Sequence, residues 1–499
     1  MATESRSLAL SPLALAPDEL SFFRWGRVAG RVLVTNDAGD WAFLSEAEFA
    51  DLLGGRVGQA HPRFAELQGK GMLRDGLDLD ALAARVGQRN RHVRRGAYVH
   101  VVTLTRRQHE AAPPAAGLDM SEETAEQVAE FVLSTTSPTV TVELRGDGGE
   151  PLCNFAALRR LVEAAQLRNK RSTGKQLTFV ALTSCAAMTE ERAEWLIAND
   201  VRVVTRLDGP ASVHDAVRAW AGGAAHADVV RWLELFTRRY AELGRNPEEW
   251  HPAALLTVTR DTLSQWRAVV DEYVARGLRG MTWSPLPASR VPPAIWAAAG
   301  YEMTAYLDVY RQVLRYVLEL NRRGTALREG TAAVLATKVL SRNDAGAVDL
   351  QSPYGGGSAL LAYDVDGRIF PDDDARWLCA QGDALFALGD VRQTRIGDLA
   401  QHPTVRAIAA ASLLDAQPMC ADCWNKPYCG FSPVRNYLEQ EDLFGQRRRC
   451  GQCREHLAVA GEVFELVADG GDAAARQVLE RWAGGVDAPP AGPRSRPLP

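Results

Sequence analysis

The sequence predicts an α/β protein: a partial, TIM-like (βα)6 barrel between a small N-terminal winged-helix-like module and a C-terminal cysteine-rich segment. Three observations carry this reading. From Tyr98 onward, β-rich runs alternate with helix-like stretches, the pattern of a parallel sheet with right-handed crossovers. Ahead of them, two β-rich runs flank Asn36-Asp-Ala-Gly39, a hairpin signal. Behind them, six of the eight cysteines fall between positions 379 and 453.

Taken in order, Arg31–Thr35 and Trp41–Leu44 are the hairpin strands, and Ser45 with Glu48 opens a helix to about Gly54. A second helix is expected around Phe64–Gly71. Residues 1–95 then read either as a peptide-recognition module or as a structural extension. The barrel strands are expected at 98–104, 138–145, 176–183, 201–207, 253–259 and 280–286, with helices at 121–135, 155–168, 190–199 and 261–276. Thr189 ahead of Glu190 and Glu191 is a good N-cap with acids at the positive helix end. Six units are too few to close an eight-fold barrel, so the active mouth belongs at the C-terminal strand ends of an open one. A long amphipathic helix, 300–323, completes residues 96–330. The cysteine-rich unit, 331–465, starts with a hairpin over Ala362–Phe370, turning on Asp366-Gly367. Residues 466–499 hold a terminal helix and a Pro-rich tail expected to be disordered.

Composition excludes several classes. With 499 residues, 46% apolar, 24% charged and a net charge of −5, the chain carries no sign of a nucleic-acid or membrane-surface binder. No apolar run reaches the roughly 18 residues of a spanning helix. Glu4 precedes a short apolar stretch broken by Ser11 and Pro12, which argues against a signal peptide, so a cytoplasmic location is expected. There, clustered cysteines bind metal or catalyse more often than they form disulfides.

The cysteine segment reads Cys379, Cys420-Ala-Asp-Cys423, Cys429 and Cys450-Gly-Gln-Cys453. Cys420, Cys423 or Cys429, Cys450 and Cys453 can supply four thiolates, enough for a [4Fe–4S] cluster or tetrahedral Zn²⁺. Cys379 is a further candidate ligand. Cys153 and Cys185 are isolated and read as small buried apolar residues.

Ordered landmarks join this pattern: Thr35-Asn-Asp-Ala-Gly-Asp40, Leu118-Asp-Met-Ser121, Gly148-Gly-Glu-Pro151, Leu207-Asp-Gly-Pro210 with His214-Asp215, Val348-Asp-Leu-Gln-Ser-Pro353 and Cys429-Gly-Phe-Ser-Pro-Val434. With them the chain resembles the radical SAM enzymes bearing a SPASM-type cysteine-rich domain, most nearly the maturase of the His-Xaa-Ser peptide system. The resemblance runs from about Phe22 to Leu457. It implies a radical SAM barrel, one auxiliary [4Fe–4S] cluster at the C-terminal cysteines, a precursor peptide as substrate and a partner radical SAM maturase. It also implies a cofactor-binding mouth at Gly148, Gly149, Glu150 and Pro151, with Thr183, Ser184, Thr205 and Asp208 closing the neighbouring strands. Glu150 there either meets the cofactor's amino group or is an ion-paired strand-end residue.

One departure is severe. The family's Cys-x3-Cys-x2-Cys motif follows the first barrel strand, where this chain has Arg107, Ala111 and Pro114. None is a soft iron ligand, and no cysteine precedes Cys153. His109 and Glu110 in this loop read as solvated. The resemblance thus implies a family member without its radical cluster, and leaves S-adenosylmethionine binding open. In the auxiliary motif Ser432 stands where the fourth cysteine is expected, Cys453 fits the last one, and Cys450 is an addition. Three functions remain: a cluster-deficient scaffold subunit, an active maturase whose ligands come from elsewhere, and a non-radical enzyme acting on a small molecule.

Overall fold

In the computed structural model, which describes residues 20–107, 117–247, 249–341, 345–468 and 471–484, the N-terminal hairpin forms where its turn predicts. Strands β2 (Arg31–Thr35) and β3 (Trp41–Leu44) pair antiparallel, Val32 with Leu44 through Thr35 with Trp41. Asn36 closes the turn by accepting from the Asp40 N–H at 3.0 Å, and Gly39 takes a positive φ of 75°. Ser45 and Glu48 form a reciprocal capping box on the helix Glu46–Leu53. Two further elements are β1 (Arg24–Val28), antiparallel to β2, and the helix Leu79–Arg89. Neither announces itself: β1 reads RWGRV, with two arginines and a glycine. The expectations for His109, Glu110, Ala111, Pro114 and the Pro-rich tail lie outside the described residues.

Five barrel strands follow in sequence order and all parallel: β4 (Val99–Thr105), β5 (Thr139–Gly146), β6 (Gln176–Leu182), β7 (Val201–Arg206) and β8 (Ala253–Leu255). The sixth run departs from expectation. Only Gly280–Met281 is a strand, β9, and it pairs with β10 (Arg328–Glu329), reaching the main array through a Val258–Pro285 bridge. Pro285 and Pro287 deprive this segment of ladder donors. The sheet also extends the other way. The C-terminal hairpin β11 (Leu360–Tyr363) and β12 (Arg368–Phe370) docks with β11 parallel to β4, and β13 (Gly389–Asp390) finishes the edge. One eight-stranded sheet therefore spans the barrel and part of the cysteine-rich unit.

Alternation sorts the two faces. Val102, Leu104, Val142, Leu144, Ala181 and Val203 join the main core with the helices Glu122–Leu133 and Phe155–Arg168, each large side chain contributing about 1.5–3 kcal/mol. The opposite face carries a small apolar set, Val180, Leu182, Val204, Ala253 and Leu255. On this same face Arg145 and Arg206 stand near the C-terminal strand ends. His100, buried in β4, meets the Tyr363 hydroxyl at 2.8 Å, and burial drives its pKa from 6.5 down to about 3.

One ring packs at the centre of the contact between the N-terminal sheet and the rest. Phe464, fully buried on the helix Gly451–Val467, packs edge-on against Trp41 (5.4 Å), Phe43 (6.4 Å), Trp424 (5.7 Å) and Tyr428 (5.2 Å). Among the described residues no helix is long and apolar enough to cross a membrane.

Two outcomes follow from this packing. Phe464→Ala empties the centre of that cluster and is expected to cost about 3–5 kcal/mol, read as a lower midpoint in chemical denaturation. In the folded protein His100 stays neutral down to about pH 3, so its contribution is complete above pH 6.5 and is lost as pH falls toward about 3. Across that window the wild type should lose more stability than His100→Gln, and parallel stability–pH curves would refute this.

Candidate functional site

Two places gather the residues singled out by sequence: the barrel mouth and the cysteine loop. At the mouth, β4 delivers Thr105, Arg106 and Arg107. The Thr105 hydroxyl accepts from the Arg107 N–H (3.0 Å) and donates to Asp119 (2.5 Å). The Arg107 guanidinium pairs with Asp119 (2.9 Å) and donates to the Cys153 carbonyl (2.5 Å). Arg106 pairs with Asp364 (2.5 Å). Arg107 is thus fastened through Nε to Asp119 and through Nη2 to the Cys153 carbonyl.

The turn after β5 presses against this strand end. A Cβ on Gly149 would collide with the Arg107 carbonyl, and one on Gly146 with Gly149. Gly148 instead needs its conformation, φ 60°, with open space around it. The Glu150 N–H then donates to the Arg107 carbonyl at 3.1 Å.

The Glu150 side chain is buried and fully engaged. Its carboxylate accepts from the Thr183 hydroxyl (2.7 Å), the Leu152 N–H (3.1 Å), the Ser184 N–H (2.8 Å) and the Ser184 hydroxyl (2.6 Å). Burial still pushes its pKa above the ordinary carboxylate value, although all four donors pull it down. Pro151 begins a short 3₁₀ turn behind it. Thr205 faces away, against the Cys185 sulfur at 3.2 Å, and burial pushes that thiol up to about 12. Asp208 is committed elsewhere: it pairs with Arg218 (2.8 Å) and accepts from the Thr257 N–H (2.7 Å). Burial opposes its charge, but Arg218 and His214 hold its pKa below the usual range.

The cavity between these strand ends is lined by Gly148, Gly149, Glu150 and Ser184 of the expected residues, but not by Pro151, Thr183, Thr205 or Asp208. Its other walls are arginines that the sequence reading missed: Arg145, Arg206, Arg218, Arg290 and Arg376. Arg145 and Arg206 carried a signal, since each ends an inward-facing strand pattern. Arg290 and Arg376 come from distant segments and carried none.

The cysteine loop collects five of the six candidate sulfurs. Cys420, Cys423, Cys429, Cys450 and Cys453 lie near enough for their thiolates to repel one another. Burial, then Cys453, Cys423 and Cys450, push Cys420 up to about 11, while Arg447 pulls it down. Burial raises Cys423, offset by the Asn425 and Lys426 N–H groups that reach its sulfur. Cys429 is raised by burial and the neighbouring thiols, and its sulfur stands 3.6 Å from Nδ1 of His456. His456 was not anticipated, although it follows Cys453 by three residues, one helical turn. Arg447 lies over the Phe431 ring at 3.9 Å. Cys379 is engaged elsewhere, its sulfur accepting from Arg368 at 3.0 Å. Among the described residues, no group of three His, Cys, Asp or Glu side chains stands close enough to hold one ion. The donor set is soft and converging, but not closed.

No protein-family profile matches the chain, and no curated protein aligns with it recognisably. Solved structures do match. Hexahistidine-tagged anSMEcpe with bound AdoMet superposes with a TM-score of 0.59 at 14% identity, over 79% of this chain and 98% of that one. Native anSMEcpe with bound AdoMet and the Cp18Cys peptide gives 0.56 at 15% identity, over 78% and 99%. Streptococcus suis SuiB bound to S-adenosylmethionine gives 0.49 at 13% identity, over 86% and 98%. At such identities the likeness to anSMEcpe is one of fold.

The two glycines predict an order of severity. Gly148→Ala pays only for its left-handed backbone, about 1–2 kcal/mol. Gly149→Ala has no such backbone cost but must part the turn from the Arg107 backbone, so its loss on denaturation should be clearly larger; equal losses would remove the close approach as the reason for Gly149.

Proposed function

We propose that this chain is a peptide-handling member of the radical SAM maturase family without a radical centre, which holds a precursor peptide for a separate maturase. The observation that carries this reading is Arg107, pinned by Asp119 and the Cys153 carbonyl at the start of the segment where the family holds its cluster. An arginine cannot ligate iron, and no cysteine precedes Cys153. Cys153 and Cys185 are buried singly. The residues present do not fit a radical cluster.

Support for peptide handling comes from two sides. The anSMEcpe structure that shares this fold contains AdoMet and a peptide. Among the described residues β1 is an edge strand, paired with β2 alone, and it carries the exposed Trp25, with Phe22 nearby also exposed. An extended peptide can add to such an edge through backbone hydrogen bonds, while Trp25 and Phe22 offer apolar contact. Its neighbours hold the strand in place: Trp424 packs on Gly26, and Arg24 reaches the Ala421 carbonyl and Asp37. A kinship with the His-Xaa-Ser system and a location in the cytoplasm belong to the same proposal.

The C-terminal thiols fit one metal centre in chemistry, with Cys420, Cys423, Cys429, Cys450 and Cys453 as candidate ligands and His456 beside them. An iron–sulfur cluster or Zn²⁺ there would supply cross-linking of the loop to the helix Gly451–Val467.

Metal and sulfide content after anaerobic reconstitution, with 5′-deoxyadenosine assayed after addition of AdoMet and reductant, tests the reading. Either about four irons with matching sulfide or about one zinc per chain, with no 5′-deoxyadenosine, is expected. About eight irons, or formation of 5′-deoxyadenosine, would sink it.

A further inference from the structure

We propose that the barrel mouth is a binding site for a tetrahedral oxyanion: inorganic phosphate, or the phosphate group of a small ester. Five guanidiniums line it (Arg145, Arg206, Arg218, Arg290 and Arg376) against three carboxylates, Asp147, Glu150 and Asp373. They converge from β5, β7 and three separate helical or loop segments, so the cluster is a product of the fold.

Much of this charge is already paired. Arg145 is bonded to Glu143, Arg218 to Asp208, and Arg290 to Asp374 (2.9 Å). Arg376 joins Asp147 (2.8 Å) and Asp373 (2.7 Å). Yet its Nη1 is buried without a hydrogen-bond acceptor, and the carboxylate of Asp364 stands 3.9 Å away. Arg376 is 1% exposed, so water does not freely replace the missing partner. At Arg206 burial, then Arg218 and Arg145, bring the pKa down to about 10, with Asp208 and Glu150 opposing.

Size and charge then choose the ligand. The cavity offers about 70 Å³, several times the space one water needs, and its Gly146–Gly149 and Gly222–Gly223 walls put little side chain in the way. With Glu143, Asp208 and Asp374 counted, the five guanidiniums are largely neutralised, so what the cavity offers a ligand is unfilled N–H capacity, shown by the orphaned Nη1 of Arg376, and not a net charge. Planar guanidinium forks match phosphate oxygens two at a time. The sulfonium of AdoMet, a cation, would meet the same guanidiniums with the wrong sign. This site does not depend on the peptide-handling reading: a peptide at β1 and a metal at the cysteines would survive its failure.

The test is calorimetric titration of the full-length protein at constant ionic strength with inorganic phosphate, with a nucleoside monophosphate and with AdoMet. Saturable binding of inorganic phosphate marks the free ion as ligand, and binding only of the monophosphate marks an ester. Either should weaken roughly tenfold or more in Arg206→Gln and recover in part in Arg206→Lys. If Arg206→Gln does not fold, phenylglyoxal modification of the wild type replaces it, with phosphate or the monophosphate expected to slow labelling of the mouth arginines. Absence of saturable binding by both anions, equal binding in Arg206→Gln, labelling that neither anion slows, or tighter binding of AdoMet than of either anion would overturn the proposal.

Discussion

The mouth of this barrel depends on one close approach: the Gly146–Glu150 turn lying directly against the Arg107 backbone. No side chain fits between them, so Gly149 is required by space and Gly148 by its backbone angle. Once that contact is made, the Glu150 N–H is satisfied by the Arg107 carbonyl. Its carboxylate is then aimed at Thr183 and Ser184 on the next strand end. Three consecutive strand ends are tied together by groups that each fill the hydrogen-bonding capacity of the next. The cost of burying Glu150 is offset in part by four donors, which make it a clasp between the strand ends.

A second constraint couples the ends of the chain. The Tyr428 hydroxyl donates to the Gly39 carbonyl (3.0 Å), the Thr35 hydroxyl donates to the Trp424 carbonyl (2.8 Å), and Arg89 donates to the Pro427 carbonyl (2.7 Å). With Phe464 beneath, the N-terminal sheet rests on the very loop that carries Cys420, Cys423 and Cys429. A metal that drew these sulfurs together would tighten the seat of β1. Thiol chemistry and the exposed strand edge are therefore mechanical neighbours despite almost 400 residues of separation.

Local signals were legible wherever a short stretch satisfies its own backbone. The Asn36–Gly39 turn, the Ser45–Glu48 capping box, the Thr189 cap and the four long parallel strands follow from residues a few positions apart. Where a segment depends on a distant partner, the reading failed. The run 280–286 is apolar enough for a strand, yet only Gly280–Met281 forms one, and it pairs with β10 and not with β8. The helix expected over 261–276 breaks at Gln265. Strand β1 exists because β2 and Trp424 flank it, and its own composition would not specify it.

The sequence by itself determined the βα order, the glycines of the mouth, the absence of cysteines before Cys153 and the spacing of two Cys-x-x-Cys pairs, because spacing and side-chain chemistry are local properties. Only the tertiary structure decided that β11 completes the sheet beside β4, that His456 joins the thiols while Cys379 turns to Arg368, and that five arginines share one cavity. Those outcomes rest on contacts between residues far apart in the chain. Such contacts are chosen by packing and charge pairing of the whole fold, and no stretch of sequence encodes them alone.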